Sequence, residues 1–562
     1  MATATPTFFP LPLPRARRRW WLGLSGLALA ANLLSPGPSR AAEEIIITYG
    51  GLQRTIAIAD LEHLARTGKL SRQLQAYNRH LGFSPEGLAQ IRQALSTPTR
   101  TLDVVAIAQF LYTEQGELLL QEVTRVVQTP SRQGSFNALR AALILAAAQA
   151  DRGQGFTLLD VLRSYPLEAI RVDLAGALAV AEEINQAILK SERAVNLVRA
   201  IADQEAGVEA NALDLNALQA LVQAQQRYGV KRFNLDLEGL ARPVTLFLPQ
   251  GRPPRSGFPL VLISHGLGST RQSYSYLGEY LAAGGLAVAA VEHTGSNDEQ
   301  LFALLAGQST AVVPDGEFWR RPQDISLAIT GLGQARFRYP ELRGRLDLNR
   351  VGVVGQSFGG YTALALAGAT VDSQGLEQAC PPSRLAFNPS LLLQCQAARL
   401  ANPGRRLIDP RVKAIFIMNP IGGVLFGPSG YSQVKVPTMV VAGALDTVAP
   451  AFAEQIKPFT WLGSKDRYLL LLSRGTHFSV IGDTGGDGQP LAIPEALIGP
   501  YPELAQAYMQ GFAQAFFQVN LLGNERFRPL LQAGYAQALA APEMPLSLIT
   551  GASADLLTKW LP

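Results

Sequence analysis

Residues 351–368 read VGVVGQSFGGYTALALAG. A short apolar run rich in valine comes first, then Gly355-Gln356-Ser357-Phe358-Gly359, and then a run rich in alanine and leucine. This order predicts a buried strand, a tight turn that carries Ser357, and a helix. Glycines on both sides of Ser357 suit such a turn, because side chains there would crowd the strand-to-helix crossing. Ser357 is therefore a candidate nucleophile, although five residues alone are as typical of an ordinary small-residue turn.

An acid and a base follow Ser357 in the order that a nucleophile of this kind requires. His477 is the only one of the five histidines after Ser357, so we expect it to be the general base. The aspartates between these two residues are Asp372, Asp409, Asp446 and Asp466. Asp446 is preferred because it follows a predicted strand, 438–442, at the carboxyl end where the reactive groups of parallel sheets lie. The alternative for Asp446 is capping of a helix that begins near Pro450.

Two backbone N–H groups are expected to form an oxyanion hole. Phe358 supplies one because it follows the nucleophile, and Leu267 supplies the other from the His-Gly-Leu-Gly loop after a predicted strand, 260–264. His265 precedes the nucleophile in sequence, so we interpret it as a residue that orients this loop. Since these side chains and backbone donors would supply the chemistry, no metal or organic cofactor is expected.

The first 42 residues have the composition of an export signal. They hold five arginines and no acid, an apolar run at 20–34, and a small-x-small pattern at Ser39-Arg40-Ala41. This predicts a signal peptide, by the general or the twin-arginine route, and a periplasmic or extracellular protein. An uncleaved membrane anchor is the alternative. Without these five charges the 49 basic residues fall to 44, equal to the 44 acidic ones, so no nucleic-acid partner is expected.

At 562 residues the chain is too long for one core. A hairpin and then short amphipathic helices predict a small all-α domain at 43–165, followed by a helical linker at 166–228. From 229 to 540 short apolar strands alternate with helices, which predicts a mostly parallel sheet covered on both faces. Residues 541–562 are interpreted as a tail. The predicted strands of the large domain are 244–248, 260–264, 286–291, 351–354, 414–418, 438–442 and 468–472.

Cys380 and Cys395 lie in one polar, proline-containing segment. In an exported protein they would form a disulfide that closes a short loop, and two free buried thiols are the alternative. This segment, 370–410, and another insert, 294–321, are expected to shape the substrate site.

Several of these motifs resemble those of known esterases. HGLGS at 265–269, AVAAVEH at 287–293 and GQSFGGYTALALAG at 355–368 resemble platelet-activating-factor acetylhydrolases and dienelactone-hydrolase-like enzymes. AGALDTVAP at 442–450 and GTHF at 475–478 are similar to cutinases and related polyester hydrolases. The order of export signal, helical domain and hydrolase is similar to that of cyanobacterial α/β-hydrolases with an N-terminal helical domain of unknown function.

The resemblance implies the α/β-hydrolase fold and a secreted serine esterase with Ser357, Asp446 and His477 as its triad. One departure concerns the acid: the animal acetylhydrolases carry it after the strand matching 414–418, where this chain has Asn419. Asp446 would then serve, as in cutinases, and the acetylhydrolases' narrow substrate preference does not transfer.

The expected activity is hydrolysis of carboxylic esters by a lipase or acylesterase, with a small-molecule or lipid ester as substrate. The alternatives are a cutinase-like polyester hydrolase, a prolyl-oligopeptidase-like peptidase, and a non-catalytic envelope-binding protein whose helical domain contacts a membrane or envelope. The oligomeric state stays open.

Overall fold

The computed structural model describes residues 41–82, 84–99, 104–150, 155–209, 213–314, 316–380, 388–400, 404–482 and 495–561. The predicted signal peptide, 1–42, lies outside this part of the chain except for its last two residues. We call residues 41–173 the N-terminal unit and residues 230–561 the C-terminal unit.

The strands of the N-terminal unit are β1 Glu44–Tyr49, β2 Leu52–Ala57, β3 Val127–Gln128 and β4 Ala169–Asp173. Those of the C-terminal unit are β5 Val230–Leu235, β6 Val244–Pro249, β7 Phe258–Ser264, β8 Ala287–Val291, β9 Leu346–Gln356, β10 Val412–Met418, β11 Thr438–Gly443, β12 Arg467–Leu472 and β13 Leu546–Thr550.

The helices up to residue 225 are α1 Ile58–Thr67, α2 Arg72–Leu81, α3 Pro85–Ser96, α4 Val104–Leu111, α5 Glu114–Thr124, α6 Ser135–Gln149, α7 Leu158–Arg163, α8 Leu174–Glu209 and α9 Leu215–Gln225. Those of the C-terminal unit are α10 Ser275–Ala283, α11 Asp298–Leu305, α12 Glu317–Ala335, α13 Phe358–Leu366, α14 Ser373–Ala379, α15 Leu391–Gln394, α16 Gly423–Tyr431, α17 Lys457–Trp461, α18 Glu495–Ile498, α19 Pro502–Asn520, α20 Ala533–Leu539 and α21 Ala554–Trp560. Within the described ranges, no helix is both long enough and apolar enough to cross a membrane.

The N-terminal unit contains a four-stranded sheet of which the sequence analysis predicted only the β1–β2 hairpin. Its described strands lie in the order β2-β1-β4-β3, with β1 antiparallel to β2 and parallel to β4. Gly50, with φ 55°, lets the predicted β1–β2 hairpin turn. The helices pack on this sheet around buried residues that include Ile45, Ala142 and Ile170. The prediction of a small all-α domain is therefore wrong, because the partner of β1 comes from the far end of the unit.

The C-terminal unit is built on a large, mostly parallel sheet. Among the described residues its strands lie in the order β13-β12-β11-β10-β9-β7-β8-β6-β5. The six neighbouring strands from β12 to β8 in this order are parallel, whereas β13 at one edge and β6 and β5 at the other pair antiparallel. All seven predicted strands are present. The sheet also includes β5 and β13. The prediction of a tail at 541–562 is wrong, because β13 pairs with β12 along that segment.

Alternate residues of the central strands pack into two separate cores. Leu262, Val353 and Ile417 contribute to one face, and Ile263 and Val354 contribute to the other. Burial on both faces explains why these strands read as near-continuous apolar runs. The predicted α/β-hydrolase fold is confirmed.

The predicted helical linker, 166–228, is a structural part of both units. Its first residues form β4 of the N-terminal sheet. The second half of α8 buries Val195, Val198, Ile201 and Ala202 in a core of the C-terminal unit. The segment therefore joins the units by packing instead of spanning a gap between them.

Candidate active site

Ser357 lies in a strained turn between β9 and α13. Its φ is 54° and its ψ is −116°, in a region that side-chain-bearing residues seldom adopt. The Ser357 N–H donates to Met418 O at 3.0 Å, and Ser357 O accepts from Tyr361 N at 3.2 Å. These bonds tie the turn to β10 on one side and to the first turn of α13 on the other.

The flanking glycines are required by close backbone contacts. A Cβ at Gly355 would overlap the carbonyl oxygen of Gly359, and a Cβ at Gly359 would overlap that of Ser264. Any larger residue would force the strand and the helix apart. The sequence reasoning for glycines on both sides of Ser357 therefore has a direct steric basis.

Asp446 and His477 form a buried pair at the carboxyl ends of β11 and β12. Asp446 Oδ2 lies 2.8 Å from His477 Nδ1. Asp446 Oδ1 accepts from the N–H groups of Val448 and Ala449 at 2.9 and 2.7 Å. An ionised carboxylate only accepts, so Nδ1 carries the proton and the His477 Nε2 lone pair is available as a base.

Asn419 also bonds to this carboxylate, a contact that the sequence analysis did not predict. Its Nδ2 donates to Asp446 Oδ2 at 2.8 Å, and its backbone has a positive φ of 44°. Asn419 thus orients the carboxylate of Asp446, the candidate acid at the end of the next strand. Its position at the end of β10, directly beside β11, is the signal that could have indicated this contact.

Ser357 is brought to the same sheet edge as this pair. Gln356 Nε2 donates to His477 O at 3.1 Å, and Leu445 N donates to Gly475 O at 2.9 Å, so the three loops are joined. Within the described residues, no hydrogen bond links the Ser357 hydroxyl to the His477 ring. Such bonds are often long before substrate binds.

The N–H groups of the two expected oxyanion donors, Leu267 and Phe358, point to no acceptor among the described residues. His265 Nδ1 lies 2.7 Å from Gly266 O, the carbonyl of the peptide that carries the Leu267 N–H. The His293 N–H donates to His265 Nε2 at 3.0 Å, which sets the tautomer. His265 therefore orients the oxyanion loop, as a neutral ring, because burial and then nearby Arg321 lower its pKa to about 3.

Arg321 links the two sides of this expected oxyanion hole, and the sequence analysis missed it. Its guanidinium donates to His265 O, to Ser296 Oγ at 2.5 Å and to Thr362 Oγ1 at 3.1 Å. It also lies 4.5 Å from the ring centroid of Phe358. Burial lowers the pKa of Arg321 to about 10, which leaves it charged at neutral pH.

A second Ser-His-Asp set lies beneath the same loop. Ser264 Oγ is 2.9 Å from His293 Nε2, and His293 Nδ1 is 2.9 Å from Asp324 Oδ2. Ser264 and His293 are both 0% exposed, so no substrate reaches this serine. Burial raises the pKa of Asp324 to about 7 and lowers that of His293. We therefore interpret Ser264, His293 and Asp324 as residues that support the loop, whereas Ser357 is the candidate nucleophile.

The N-terminal unit rests on both inserts beside the site. Helix α4 contacts α11, and α5 contacts α15. Gln115 Nε2 donates to Leu392 O at 3.4 Å, and Arg399 forms an ion pair with Glu114. A disulfide joins Cys380 to Cys395 in the second insert. The N-terminal unit thus borders the carboxyl edge of the large sheet.

Fold and site together define the α/β-hydrolase class. A family model described as "Alpha/beta hydrolase of unknown function" matches residues 41–173. Another, described as "Platelet-activating factor acetylhydrolase, isoform II", matches residues 215–303. The first match covers the N-terminal unit, which carries none of the candidate catalytic residues.

Curated proteins named platelet-activating factor acetylhydrolase are similar to part of the chain. The protein of Cavia porcellus is 30% identical over 138 residues, that of Bos taurus 25% over 138, and that of Canis lupus familiaris 28% over 145. These matches cover 19%, 19% and 20% of this chain and 31%, 31% and 33% of the relatives, so the chain spans about a third of their length. The chain resembles an α/β-hydrolase serine esterase of this type.

Proposed function

We propose that this protein is an exported, serine-dependent carboxylic-ester hydrolase, a lipase or acylesterase that acts on lipid esters. The observation that carries the proposal is the buried Asp446–His477 pair at the sheet edge where the strained Ser357 turn also lies. A strained serine at the same sheet edge as a histidine whose Nδ1 faces a carboxylate is the arrangement that nucleophilic acyl transfer requires.

The first half-reaction forms an acyl-enzyme. His477 Nε2 takes the proton of Ser357 as Oγ attacks the ester carbonyl carbon. The N–H groups of Leu267 and Phe358 donate to the oxygen that becomes negative. The imidazolium then gives its proton to the leaving alkoxide as the C–O bond breaks.

Water completes the cycle by the same route. His477 removes a proton from the water that attacks the acyl carbon, and returns it to Ser357 Oγ as the acid leaves. Asp446 stabilises the imidazolium in both halves and keeps Nδ1 protonated. Asn419 and the two backbone N–H groups hold the carboxylate in place for this role.

Two observations support the compartment and the substrate class. A disulfide between Cys380 and Cys395 suits an oxidising compartment outside the cytosol. The relatives are named platelet-activating factor acetylhydrolases, which favours a lipid ester here. The position of the acid after β11, similar to that of cutinases, favours polyester hydrolysis as the second candidate.

The proposal is tested with the mature chain and p-nitrophenyl esters. We expect wild-type protein to hydrolyse the butyrate ester and to be labelled by a fluorophosphonate. Ser357→Ala and His477→Ala are expected to lose at least about 10⁴-fold in kcat, and Asp446→Asn about 10³- to 10⁴-fold, because the histidine tautomer is lost.

Circular dichroism of each variant provides the control for folding. Absence of both hydrolysis and labelling in folded wild-type protein would contradict the proposal. Full activity of Asp446→Asn would remove Asp446 from the triad while leaving Ser357 and His477 in it.

A further inference from the structure

Helix α8 carries one apolar face that is covered along only half of its length. Val180, Ile184, Ile188 and Val195 recur at helical spacing and so share this face. From residue 194 onward the face is buried in the C-terminal unit. Before that point the described residues of the face are not part of this core: Val180 and Ile184 are half-buried, and Ile188 is 51% exposed. An exposed apolar face that continues a buried one indicates a binding surface.

Two adjoining cavities follow this uncovered face. The first, of about 690 Å³, lies between α8 and the loop that carries Leu445, Asp446 and Thr447. The second, of about 460 Å³, lies between α8 and the N-terminal unit, with Val123 and Val127 in its wall. Pro389 lines both cavities. Each has the volume of a small-molecule site, and together they form a groove, which we call the α8 groove.

The near end of the α8 groove lies beside the candidate triad. Its wall includes Asp446 and Leu445, which is 53% exposed. The loop follows β11, and Ser357 follows β9, with only β10 between them. Two strand spacings are about 10 Å, which is the separation of the ends of β9 and β11. The described lining of the first cavity includes Asp446 and Ser473 but not Ser357, so a chain attached to Ser357 has to bridge a distance of this order. The α8 residues that line the groove, from Val180 to Arg199, extend over roughly 28 Å.

The walls of the far cavity favour an occupant without hydrogen-bonding groups. Aliphatic side chains dominate the lining of the far cavity, where Glu122 and Arg125 form an ion pair of 2.9 Å. The near cavity is lined by apolar and polar residues in similar number. A peptide would bring backbone groups that need partners, whereas a hydrocarbon chain needs none. The remaining charges, among them Glu192 and Arg199, lie on exposed or half-exposed positions of α8.

We propose that the α8 groove binds the long acyl chain of a lipid ester whose carbonyl lies at Ser357. This inference rests on the proposed esterase function and makes long-chain esters the substrate class. The N-terminal unit and α8 would then determine chain-length preference, while the large sheet carries the chemistry.

The test compares p-nitrophenyl palmitate with p-nitrophenyl butyrate in Ile188→Trp. We expect kcat/KM for palmitate to fall about tenfold or more, with butyrate changed less than about twofold, because each buried methylene contributes severalfold in affinity. Leu178→Trp is the matched control, since Leu178 is 53% exposed on the same helix and does not line the cavities. The ratio of kcat/KM for palmitate to kcat/KM for butyrate is expected to be the same in Leu178→Trp as in wild type.

A binding measurement tests the groove independently of turnover. Ser357→Ala protein is expected to bind the fluorescent fatty acid cis-parinaric acid saturably, with displacement by palmitate. Adding Val123→Trp at the far end should weaken this binding several-fold, and this variant remains informative if Ile188→Trp does not fold.

The outcomes separate this inference from the proposed function. If Ile188→Trp hydrolyses butyrate and its palmitate-to-butyrate ratio of kcat/KM equals that of wild type, the acyl-chain groove is contradicted and the proposed esterase function is not. Fatty-acid binding without any hydrolysis supports the groove and removes the esterase. A third outcome is that wild-type protein binds phosphatidylcholine vesicles and Ile188→Trp does not, while the palmitate-to-butyrate ratio is unchanged. This outcome contradicts the acyl-chain site and indicates that the face binds a membrane surface.

Discussion

His265 stays neutral in the folded protein because its Nε2 accepts a hydrogen bond and its ring is fully buried. Its pKa falls to about 3, against about 6.5 in an unfolded chain. Between these pH values the unfolded state binds a proton that the folded state does not. The contribution of this residue to stability is therefore present above about pH 6.5 and is lost as the pH falls.

We expect His265→Asn to change how stability depends on pH. Its destabilisation relative to wild type should shrink by about 1.4 kcal/mol per pH unit as the pH falls below about 6.5, because the wild type alone loses this contribution. Urea unfolding at pH 7.5, 6.0 and 5.0 measures the difference. His63→Asn, in the N-terminal unit, is the control. A constant difference at all three pH values would mean that the pKa of His265 is the same in the folded and unfolded states.

The order of residues in the sequence predicted the candidate triad, but the side chains that orient it depend on tertiary contacts. Asn419 meets Asp446 only because β10 and β11 pair in parallel. For Arg321 a signal existed: Phe318, Arg321 and Ile325 recur at helical spacing and are all buried. This spacing places Arg321 on the buried face of α12, whereas the adjacent Arg320 is exposed. It could therefore have indicated a buried charge at Arg321.

At the scale of elements, β13 closes one edge of the large sheet. Its residues Leu546, Leu548 and Ile549 are at most 4% exposed. Burying three such side chains contributes about 5–9 kcal/mol, which is comparable to the whole stability of a domain. Without β13, the backbone groups of β12 would form an open edge.

We therefore expect a chain that ends at residue 540 not to fold. Near-UV circular dichroism and limited proteolysis should show lost tertiary packing, whereas a control chain that ends at Trp560 keeps it. A folded and active chain ending at 540 would show that β13 is dispensable and that the tail prediction was functionally right.

Local patterns predicted the buried parallel strands, because burial on both faces leaves a continuous apolar run. They did not predict β3, β4, β5 or β13. The strand β3 has only two residues, and β4 pairs in parallel with β1 from more than a hundred residues away. Such pairings are specified by the packing of the whole unit and not by the segments themselves.

At the scale of the whole molecule, α8 makes the C-terminal unit dependent on residues that precede it. Val198 and Ala202 on this helix are 0% exposed, against the core of the large sheet. A catalytic domain cut at the predicted boundary of 229 would leave this core surface open to water.

We expect a chain starting at residue 229 to aggregate and a chain starting at Leu174 to stay soluble and hydrolyse p-nitrophenyl butyrate. The reason is the apolar surface that α8 covers only in the second chain. Size-exclusion chromatography and butyrate turnover measure both properties. A monodisperse, fully active chain from 229 would reduce α8 to a dispensable connection.

The parallel pairing of β1 with β4 has a consequence for synthesis. The ribosome completes β1 and β2 long before β4 exists, and a lone two-stranded hairpin is at best marginally stable in water. Throughout that interval the apolar side of β1 is available to other nascent chains. Holdase chaperones would therefore matter most while residues 58–168 are being translated, and a ribosomal pause in that window would favour misassembly.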